Sequence, residues 1–365
     1  MGDKVVLTGS SRPRVALALQ GGGAHGAYGW GVLDRLLEAD CFDIDAISGT
    51  SAGAMNGAML ALGLTEGPEQ ARALLGRFWN RTVGAATWSP LIPSPVDRLF
   101  GNGDLSFSPG YQVLGYMARM MSPSQINPLF NPLEVNPLRD VLSGVLDIKK
   151  LNSAEAPKLY VAAVHVTSGR LRIFETPEIT LDALLASACL PFMSEPVKID
   201  GAGYWDGGYL ANPALSPLVA PIAEGEARDI IVVQVTPFER HEEPRTYTDI
   251  VDRISEISCN GALLRELEAI EQHNALIDSG KLDAKTVHRV RLHVISPDES
   301  MGRLTASSKL NAERGFVEKL FKLGRRAADH WLERNRLSVG KRSSFKLDQP
   351  LLHDATELGK RGFAA

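Results

Sequence analysis

"AISGTSAGAMNGAML", residues 46–60, holds Ser51 between Gly49 and Gly53 in a G-x-S-x-G frame. The apolar residues just before Ser51 predict a buried strand over 42–48, and the alanine-rich residues after it predict a helix. A one-residue corner between strand and helix is sharp, and flanking glycines remove clashes that a Cβ would make. The corner exposes the serine at a helix N-terminus, where backbone N–H groups favour negative charge. The pattern therefore predicts either a nucleophile or a plain helix cap.

The composition is that of a globular protein without a nucleic-acid partner. Of the 365 residues, 44% are hydrophobic and 22% are charged, and the net charge is −4. A slightly acidic chain gives no electrostatic signal for nucleic acid. Three scattered cysteines predict neither a disulfide framework nor a zinc site. We find no signal peptide, no myristoylation motif and no apolar run long enough to span a membrane, which predicts a cytoplasmic location.

The order of the predicted elements indicates the fold class. The first sixty residues run strand, glycine loop, helix, strand, glycine corner, helix. This alternation predicts an α/β three-layer sandwich with a mostly parallel central sheet. Near-continuous apolar runs at 229–238 and 290–296 predict further buried strands. We expect one domain over residues 1–340 and a weakly ordered tail over 341–365.

Two further segments bear on substrate access. Residues 78–137 contain eight prolines and eight aromatic residues, and this density of proline predicts an irregular cap segment. The cap is either a lid over a binding site or an insertion packed on the sheet edge. Residues 311–337 predict an amphipathic helix with basic residues beside an apolar stripe. Such a helix either makes peripheral contact with an anionic membrane or packs its stripe on the protein.

The glycine-rich stretch QGGGAHG, residues 20–26, has two interpretations. Gly21, Gly23 and Gly26 satisfy G-x-G-x-x-G, the dinucleotide fingerprint, and Asp45 falls about where a ribose-binding carboxylate belongs. However, the second strand then runs into G-T-S-A-G instead of an ordinary helix. Alternatively, consecutive glycines present bare backbone N–H groups to an oxyanion. Both glycine corners lie at the carboxyl edge of one parallel sheet, where ligands bind.

The stretch YWDGGYLANP, residues 204–213, begins a turn at Asp206 after a predicted strand. An Asp-Gly-Gly sequence is typical of a simple turn, but Asp206 is also a candidate general base for Ser51. A free aspartate has a pKa of about 3.9 and is a weak base for a hydroxyl. We expect burial beside Tyr204 and Trp205 to raise the pKa of Asp206. A Ser–His–Asp triad is a further hypothesis, although none of the eight histidines lies in a recognisable post-strand loop.

Four motifs follow one another within residues 15–215: GGGAHG, GTSAG, ASACLPF and DGG. In this order they resemble the patatin-like phospholipase family. The resemblance implies a catalytic dyad of Ser51 and Asp206 without histidine. It implies hydrolysis of lipid acyl esters through an acyl-enzyme, with no metal and no other cofactor. The oxyanion-hole residues implied are Gly21, Gly22, Gly23, Ala24 and Ala52. The other motif glycines implied are Gly26, Gly49, Gly53, Gly207 and Gly208.

The resemblance leaves the substrate open, because phospholipases, lysophospholipases, neutral lipases and thioesterases all occur under it. We expect a phospholipase A or lysophospholipase type of activity, with a neutral lipase or thioesterase of the same mechanism as the alternative. His25 stands where many relatives carry arginine, a departure that bears on substrate preference. Two hypotheses come from other classes. One is a dinucleotide-binding protein built on the glycine loop, and the other is a scaffold that keeps the fold without turnover.

Overall fold

The computed structural model describes residues 12–87, 89–100, 103–123, 125, 136–219, 227–240, 243–245, 247–283 and 287–347. The strands in this part of the chain are β1 (Arg14–Leu19), β2 (Asp43–Gly49), β3 (Lys158–His165), β4 (Arg170–Glu175), β5 (Val197–Ile199), β6 (Ala202–Asp206), β7 (Arg228–Val233) and β8 (Val290–Ile295). The helices there are α1 (Gly26–Ala39), α2 (Ala52–Leu64), α3 (Pro68–Ala86), α4 (Pro95–Phe100), α5 (Pro109–Met120), α6 (Pro137–Ser143), α7 (Ile148–Leu151), α8 (Leu181–Ser187), α9 (Tyr247–Asp278), α10 (Glu299–Gly302) and α11 (Arg314–Asn335).

The strands form one sheet that is mostly parallel. The strand order is β5-β6-β3-β2-β1-β7-β8, and β4 pairs with β3. The pairings β1–β2, β1–β7, β2–β3 and β7–β8 are parallel, whereas β4, β5 and β6 pair antiparallel. Because β1 and β2 are parallel neighbours, the glycine loop after β1 and the serine corner after β2 lie side by side at one edge of the sheet.

Helices cover both faces of this sheet. Side chains alternate along β1, so that Val15 and Leu17 enter one core while Ala16 and Ala18 enter the other. The larger core is completed by α1, α2, α3 and α11, and the smaller one by side chains of α9 such as Leu263. The predicted three-layer α/β sandwich with a mostly parallel sheet is confirmed.

Residues 78–137 are more regular than the sequence indicates. Helix α3 extends into this segment, and α4 and α5 follow within it. Three of its prolines begin helices: Pro95, Pro109 and Pro137. A proline in the first helical turn loses no hydrogen bond, and its fixed φ suits the helix. The described part of this segment therefore alternates between helices and irregular stretches such as 89–94 and 103–108, and α5 covers nearly all of the one stretch, 111–121, whose sequence allows a helix; residues 88, 101–102, 124 and 126–135 lie outside that part.

The predicted amphipathic helix at 311–337 is α11, and its apolar stripe packs on the protein. Its contact with α1 is close enough to require glycine on both helices. A Cβ on Gly31 would lie 2.0 Å from the carbonyl oxygen of Phe321. A Cβ on Gly324 would lie 2.0 Å from that of Tyr28. Because the stripe is used in the core, its apolar side chains do not face a lipid surface, and the alternative that the stripe packs on the protein holds.

The chain after α11 stays packed for several residues. The Oγ of Ser344 lies 2.8 Å from Nδ1 of His293 in β8. The N–H of Leu347 donates a 2.8 Å hydrogen bond to the carboxylate of Glu271 in α9. The tail predicted to be weakly ordered over 341–365 is thus held against the sheet and α9 at its start, and its remainder lies outside the described residues.

Candidate active site

Ser51 stands at the corner between β2 and α2. Its φ of +55° and ψ of −126° are rare for a residue other than glycine. A Cβ on Gly49 would lie 2.5 Å from the carbonyl oxygen of Gly53, and one on Gly53 would lie 2.1 Å from that of Leu19. The backbone N–H of Ser51 donates a 2.9 Å hydrogen bond to Oγ of Ser187. The sharp strand-to-helix corner that the sequence predicts is confirmed, and close backbone contacts explain both flanking glycines.

Asp206 ends β6 and lies beside Ser51. The N–H of Gly208 donates a 2.7 Å hydrogen bond to its carboxylate, and the Ser51 hydroxyl lies close enough to lower the pKa of that carboxyl. The residue is only 5% exposed. This burial raises the pKa of Asp206 to about 6, against the lowering effects of the Gly208 hydrogen bond, the Ser51 hydroxyl and the Lys309 charge. The carboxylate is therefore ionised near neutral pH and more basic than a free aspartate.

The glycine loop between β1 and α1 brings unused backbone donors to the same place. Among the described residues, the N–H groups of the loop and of the α2 start that have no acceptor are those of Gly22, Gly23, Ala24 and Ala52. Gly21 differs, because its N–H donates a 2.7 Å hydrogen bond to Oδ1 of Asn212. The N–H of Gly21 is therefore occupied in this structure, unlike those of the other loop residues expected to stabilise an oxyanion.

Two glycines of this loop have no room for a side chain. A Cβ on Gly21 would lie 2.3 Å from the carbonyl oxygen of Thr50, beside the serine corner. Gly23 has a φ of +58°, and a Cβ there would lie 2.3 Å from the carbonyl oxygen of Lys309. The loop is thus pressed between the serine corner and the 3₁₀ turn Ala306–Leu310. This close contact holds the backbone donors in place.

The other motif glycines also mark close approaches. A Cβ on Gly26 would lie 2.6 Å from that of Ala52, where α1 meets the start of α2. A Cβ on Gly207 would lie 2.3 Å from the carbonyl oxygen of Ala162 in β3. Gly208 supplies the backbone donor to the buried carboxylate. Each motif glycine therefore shapes the site through backbone packing or backbone donation.

Ser51, Asp206 and the glycine loop line one cavity of about 390 Å³. Apolar side chains form much of its wall, namely Met55, Phe78, Trp79, Leu138 and Leu190. The charged residues among its lining are Asp206 and Lys309. A cavity with a largely apolar wall and a few converging polar groups is typical of a site for a small molecule or an acyl chain.

His25 anchors the glycine loop as a neutral side chain. It is buried, and its Nε2 lies 2.7 Å from Oγ of Ser308 in the 3₁₀ turn. Burial, together with the nearby charge of Lys309, lowers the pKa of His25 to about 3. The imidazole is therefore uncharged at physiological pH. At this position of the loop the chain therefore has a neutral hydrogen-bonding group.

No described histidine completes a triad with Ser51. Among the residues that the structure describes, no histidine is hydrogen-bonded to Ser51 or Asp206. A serine–histidine–aspartate contact does occur elsewhere, since His293 lies 2.9 Å from Asp229 and 2.8 Å from Ser344. That histidine is fully buried between β7 and the chain after α11, away from the cavity. His241 and His353 lie outside the described residues.

The dinucleotide interpretation fails on the position of Asp45. This residue lies near the amino end of β2, whereas a ribose-binding carboxylate would lie at the carboxyl end, beside the glycine loop. Its carboxylate forms a 2.7 Å ion pair with the buried Arg228. Within the described residues, no group of three or more His, Cys, Asp or Glu side chains could hold a metal ion.

Comparison with known proteins agrees with this geometry. Residues 17–219, more than half of the chain, match the family model of the patatin-like phospholipases. The chain belongs to the patatin-like phospholipase family. The YjjU protein of Escherichia coli K12 is 25% identical over 323 residues, which cover 87% of this chain and 77% of YjjU. The NTE family protein Rv1063c of Mycobacterium tuberculosis H37Rv is 27% identical over 255 residues, covering 68% of this chain and 57% of that protein.

Two solved structures also match most of this chain at low identity. VipD from Legionella pneumophila is 15% identical with a TM-score of 0.35, and the match covers 88% of this patatin-like chain and 67% of VipD. The ExoU–SpcU complex of Pseudomonas aeruginosa is matched at 17% identity and a TM-score of 0.31, over 86% of this chain and 53% of the other. Across the ranges that the structure describes, we find no helix with both the length and the apolar character needed to cross a bilayer.

Sequence reasoning missed three residues that hold the site together. Ser187 lies in the ASACLPF motif and Asn212 follows the DGG motif, so these motifs could have drawn attention to both residues. The sequence did not indicate which residues they contact. Lys309 lies about a hundred residues further along the chain, in no motif. Tertiary packing alone brings Lys309 to the cavity.

Proposed function

We propose that this patatin-like protein is a lipid acyl hydrolase of the phospholipase A or lysophospholipase type, with Ser51 as nucleophile and Asp206 as general base. The observation that carries the proposal is that Ser51 lines the same cavity as a buried carboxylate whose pKa is raised to about 6 and which interacts with the Ser51 hydroxyl. A base whose pKa lies near the working pH is ionised and still accepts a proton readily. The position of Ser51 before α2 supports the proposal, because the helix dipole favours negative charge on Oγ.

In the acylation step, Asp206 takes the proton from Oγ of Ser51 as Oγ attacks the carbonyl carbon of the ester. The tetrahedral intermediate then collapses: the bond to the leaving alcohol breaks, and Asp206 returns its proton to that alcohol. The product of this step is an acyl-enzyme on Ser51. Asp206 thus acts first as a base and then as an acid, without a histidine between Ser51 and Asp206.

Backbone N–H groups stabilise the oxyanion of that intermediate in this proposal. The N–H groups of Gly22 and Gly23 are the leading candidates, with those of Ala24 and Ala52 next to them. Their support is that each borders the cavity and has no acceptor within the described chain. In well-studied enzymes the loss of one such donor costs about 3–4 kcal/mol of transition-state stabilisation.

In the deacylation step, Asp206 takes a proton from water, and the resulting hydroxide equivalent attacks the acyl-enzyme. The carbon–oxygen bond to Ser51 breaks, Oγ regains the proton, and a carboxylic acid leaves. The same N–H groups serve this second tetrahedral intermediate. A thioester or a neutral acylglycerol would pass through the same steps, so that a neutral lipase or thioesterase remains the alternative.

The lipid is proposed to enter beside an exposed apolar rim. Leu190 and Tyr209 line the cavity, and they are 37% and 46% exposed. Phe192, two residues after Leu190, is 68% exposed. Exposed apolar side chains next to a binding cavity often mark a contact with a membrane or a partner. We therefore propose this rim, rather than α11, as the peripheral contact with a lipid surface.

A substrate panel tests the proposed function. Turnover of p-nitrophenyl esters, lysophospholipid, phospholipid vesicles, triacylglycerol and an acyl thioester would be measured for the native chain, Ser51→Ala and Asp206→Asn. We expect lipid ester turnover that falls to near background in both variants, while neither variant melts at a lower temperature than the native chain. A folded native chain without turnover on any of these substrates would favour the scaffold hypothesis. A rise in melting temperature on adding NAD would favour the dinucleotide hypothesis.

A further inference from the structure

Lys309 is a cation in the cavity for which the proposed reaction has no use. It lines the cavity together with Ser51 and Asp206, and it is half-buried. No ion pair within the described residues involves its ammonium group. The Asp206 carboxylate interacts with this charge at longer range, but no carboxylate of the described chain forms a direct ion pair with the ammonium. A half-buried ammonium without a direct ion pair is available to an anionic group of a ligand.

The ammonium of Lys309 reaches the reacting groups electrostatically. Its charge opposes the burial-driven rise in the pKa of Asp206 and in the pKa of the Cys259 thiol, and both side chains line the cavity. It also contributes to the low pKa of His25 behind the glycine loop. The positive charge therefore acts inside the cavity and not only on the outer surface.

The two residues just before Lys309 are held in place by buried hydrogen bonds. Oγ of Ser308 lies 2.7 Å from Nε2 of His25, and Oγ of Ser307 accepts a 3.0 Å hydrogen bond from the N–H of Leu105. These serines are almost fully buried. The 3₁₀ turn therefore presents the lysine from a fixed point, with its carbonyl oxygen against the glycine loop.

We propose that the Lys309 ammonium binds a phosphate group of the substrate, so that the site prefers a glycerophospholipid to a neutral acylglycerol. This inference rests on the proposed function, because it names the class of ester that the same cavity accepts. The contact is an ammonium–phosphate hydrogen bond, which is stronger than one between neutral groups. In this arrangement the neutral imidazole of His25 anchors the glycine loop, and Lys309 supplies the positive charge in the cavity.

The test compares two soluble esters with the same acyl chains. Dihexanoylphosphatidylglycerol carries the phosphate, dihexanoylglycerol does not, and both would be used as monomers. The variants are Lys309→Met and Lys309→Arg, with Lys322→Met as the matched control. Lys322 is an exposed lysine of α11 that borders no part of the cavity. Rates would be measured near pH 8.5, where Asp206 is ionised in every variant, so that a change in its pKa does not contribute.

We expect Lys309→Met to lower kcat/KM for the phosphate-bearing ester about tenfold or more, mainly through KM, as loss of a charged hydrogen bond requires. For dihexanoylglycerol we expect a change of less than about threefold. Lys309→Arg should restore much of the loss, and Lys322→Met should change neither substrate. An equal loss on both esters, or no loss on either, would overturn the inference.

Two further measurements distinguish a failure of the Lys309 inference from damage to the catalytic groups and from a failure of the proposed function. Fluorophosphonate labelling of Ser51 in Lys309→Met, at a rate close to the native one, would show that the catalytic groups are intact. Native protein that hydrolyses neither ester would count against the proposed function itself. Inorganic phosphate provides the last arm. If it competes with both esters through Lys309 while the phosphate-bearing ester is not preferred, the site binds free phosphate and the lipid headgroup assignment is wrong.

Discussion

The backbone N–H of Gly21 and the side chain of Asn212 are joined by a 2.7 Å hydrogen bond. This bond ties the glycine loop to the chain that follows β6. One residue earlier, the carbonyl oxygen of Ala211 accepts a 2.8 Å hydrogen bond from the hydroxyl of Thr50, next to the serine corner. Residues 211–212 thus fix the loop and the corner relative to the carboxylate that ends β6. The same two residues therefore support the proposed oxyanion donors, the nucleophile and the base.

Asn212 is therefore expected to act as a positioning residue. Asn212→Ala should lower kcat about tenfold or more with little change in KM, because a misplaced loop weakens oxyanion stabilisation more than ground-state binding. Fluorophosphonate labelling of Ser51 should slow in parallel. Asn274→Ala is the matched control, since Asn274 also hydrogen-bonds the backbone, at Val290, but lies away from the cavity. Equal labelling rates in native protein and Asn212→Ala would remove this role.

The pH dependence of kcat/KM should report Asp206. The proposed base works only when ionised, and burial raises its pKa to about 6. Activity should therefore rise with pH and reach half of its plateau near 6. His25 should add nothing to this limb, because its pKa of about 3 keeps it neutral throughout. Lys309→Met should move the limb to higher pH, since the lysine lowers the pKa of Asp206. A limb that disappears in His25→Asn would point to the histidine instead.

The same pKa predicts a stability effect of unusual sign. Because the folded state raises the pKa of Asp206 from 3.8 to about 6, it binds a proton more tightly than the unfolded chain between these values. The contribution of Asp206 to stability is therefore lost as pH rises from about 4 to 6. Asp206→Asn should stabilise the protein at pH 8 by up to about 3 kcal/mol, and by much less near pH 4.

Urea unfolding of the native chain and of Asp206→Asn at both pH values measures this effect. The asparagine keeps an oxygen that accepts the hydrogen bond from Gly208, so that the substitution removes the charge and little else. If the difference in unfolding free energy between the two proteins did not depend on pH, the buried carboxylate would not have the raised pKa.

The apolar rim of the cavity should matter for vesicles and not for soluble esters. Phe192→Asp should lower the rate on phospholipid vesicles about tenfold or more and leave p-nitrophenyl butyrate turnover within about twofold, because only vesicles require interfacial contact. Leu337→Asp is the control, since Leu337 is 72% exposed just beyond α11. Sedimentation with vesicles would measure binding directly. If Leu337→Asp lost vesicle activity and Phe192→Asp kept it, the contact would lie near α11 after all.

The sequence predicted most of the sheet and the serine corner, because these depend on local signals. Glycines beside Ser51 and apolar runs at β1, β2, β7 and β8 determine short-range structure that period and turn chemistry describe. In residues 78–137 the sequence indicated irregular structure with one possible helix at α5, and α4 was not foreseen because proline density does not distinguish a helix start from a break. The predicted start of the weakly ordered tail lies too early in the chain. The contacts that hold its first residues, with His293 and Glu271, join residues far apart in sequence and were not foreseen.

Within the site, too, the sequence predicted local features and missed contacts between distant residues. The raised pKa of Asp206 was expected from burial, and the structure agrees with its direction and cause. The occupied N–H of Gly21 could not be foreseen, because a glycine motif does not say which of its donors another segment uses. Lys309 had no motif at all, and only the packing of its carbonyl oxygen against Gly23 brings it to the cavity.

Every step of the proposed hydrolysis depends on Ser51 as the nucleophile that Asp206 activates. The direct test is labelling with a fluorophosphonate at pH 8, followed by intact mass and peptide mapping. We predict one adduct per chain, on Ser51, no adduct in folded Ser51→Ala, and a labelling rate in Asp206→Asn that is lower by about two orders of magnitude or more. An adduct on a different serine, or lipid ester turnover that survives in Ser51→Ala, would contradict the account.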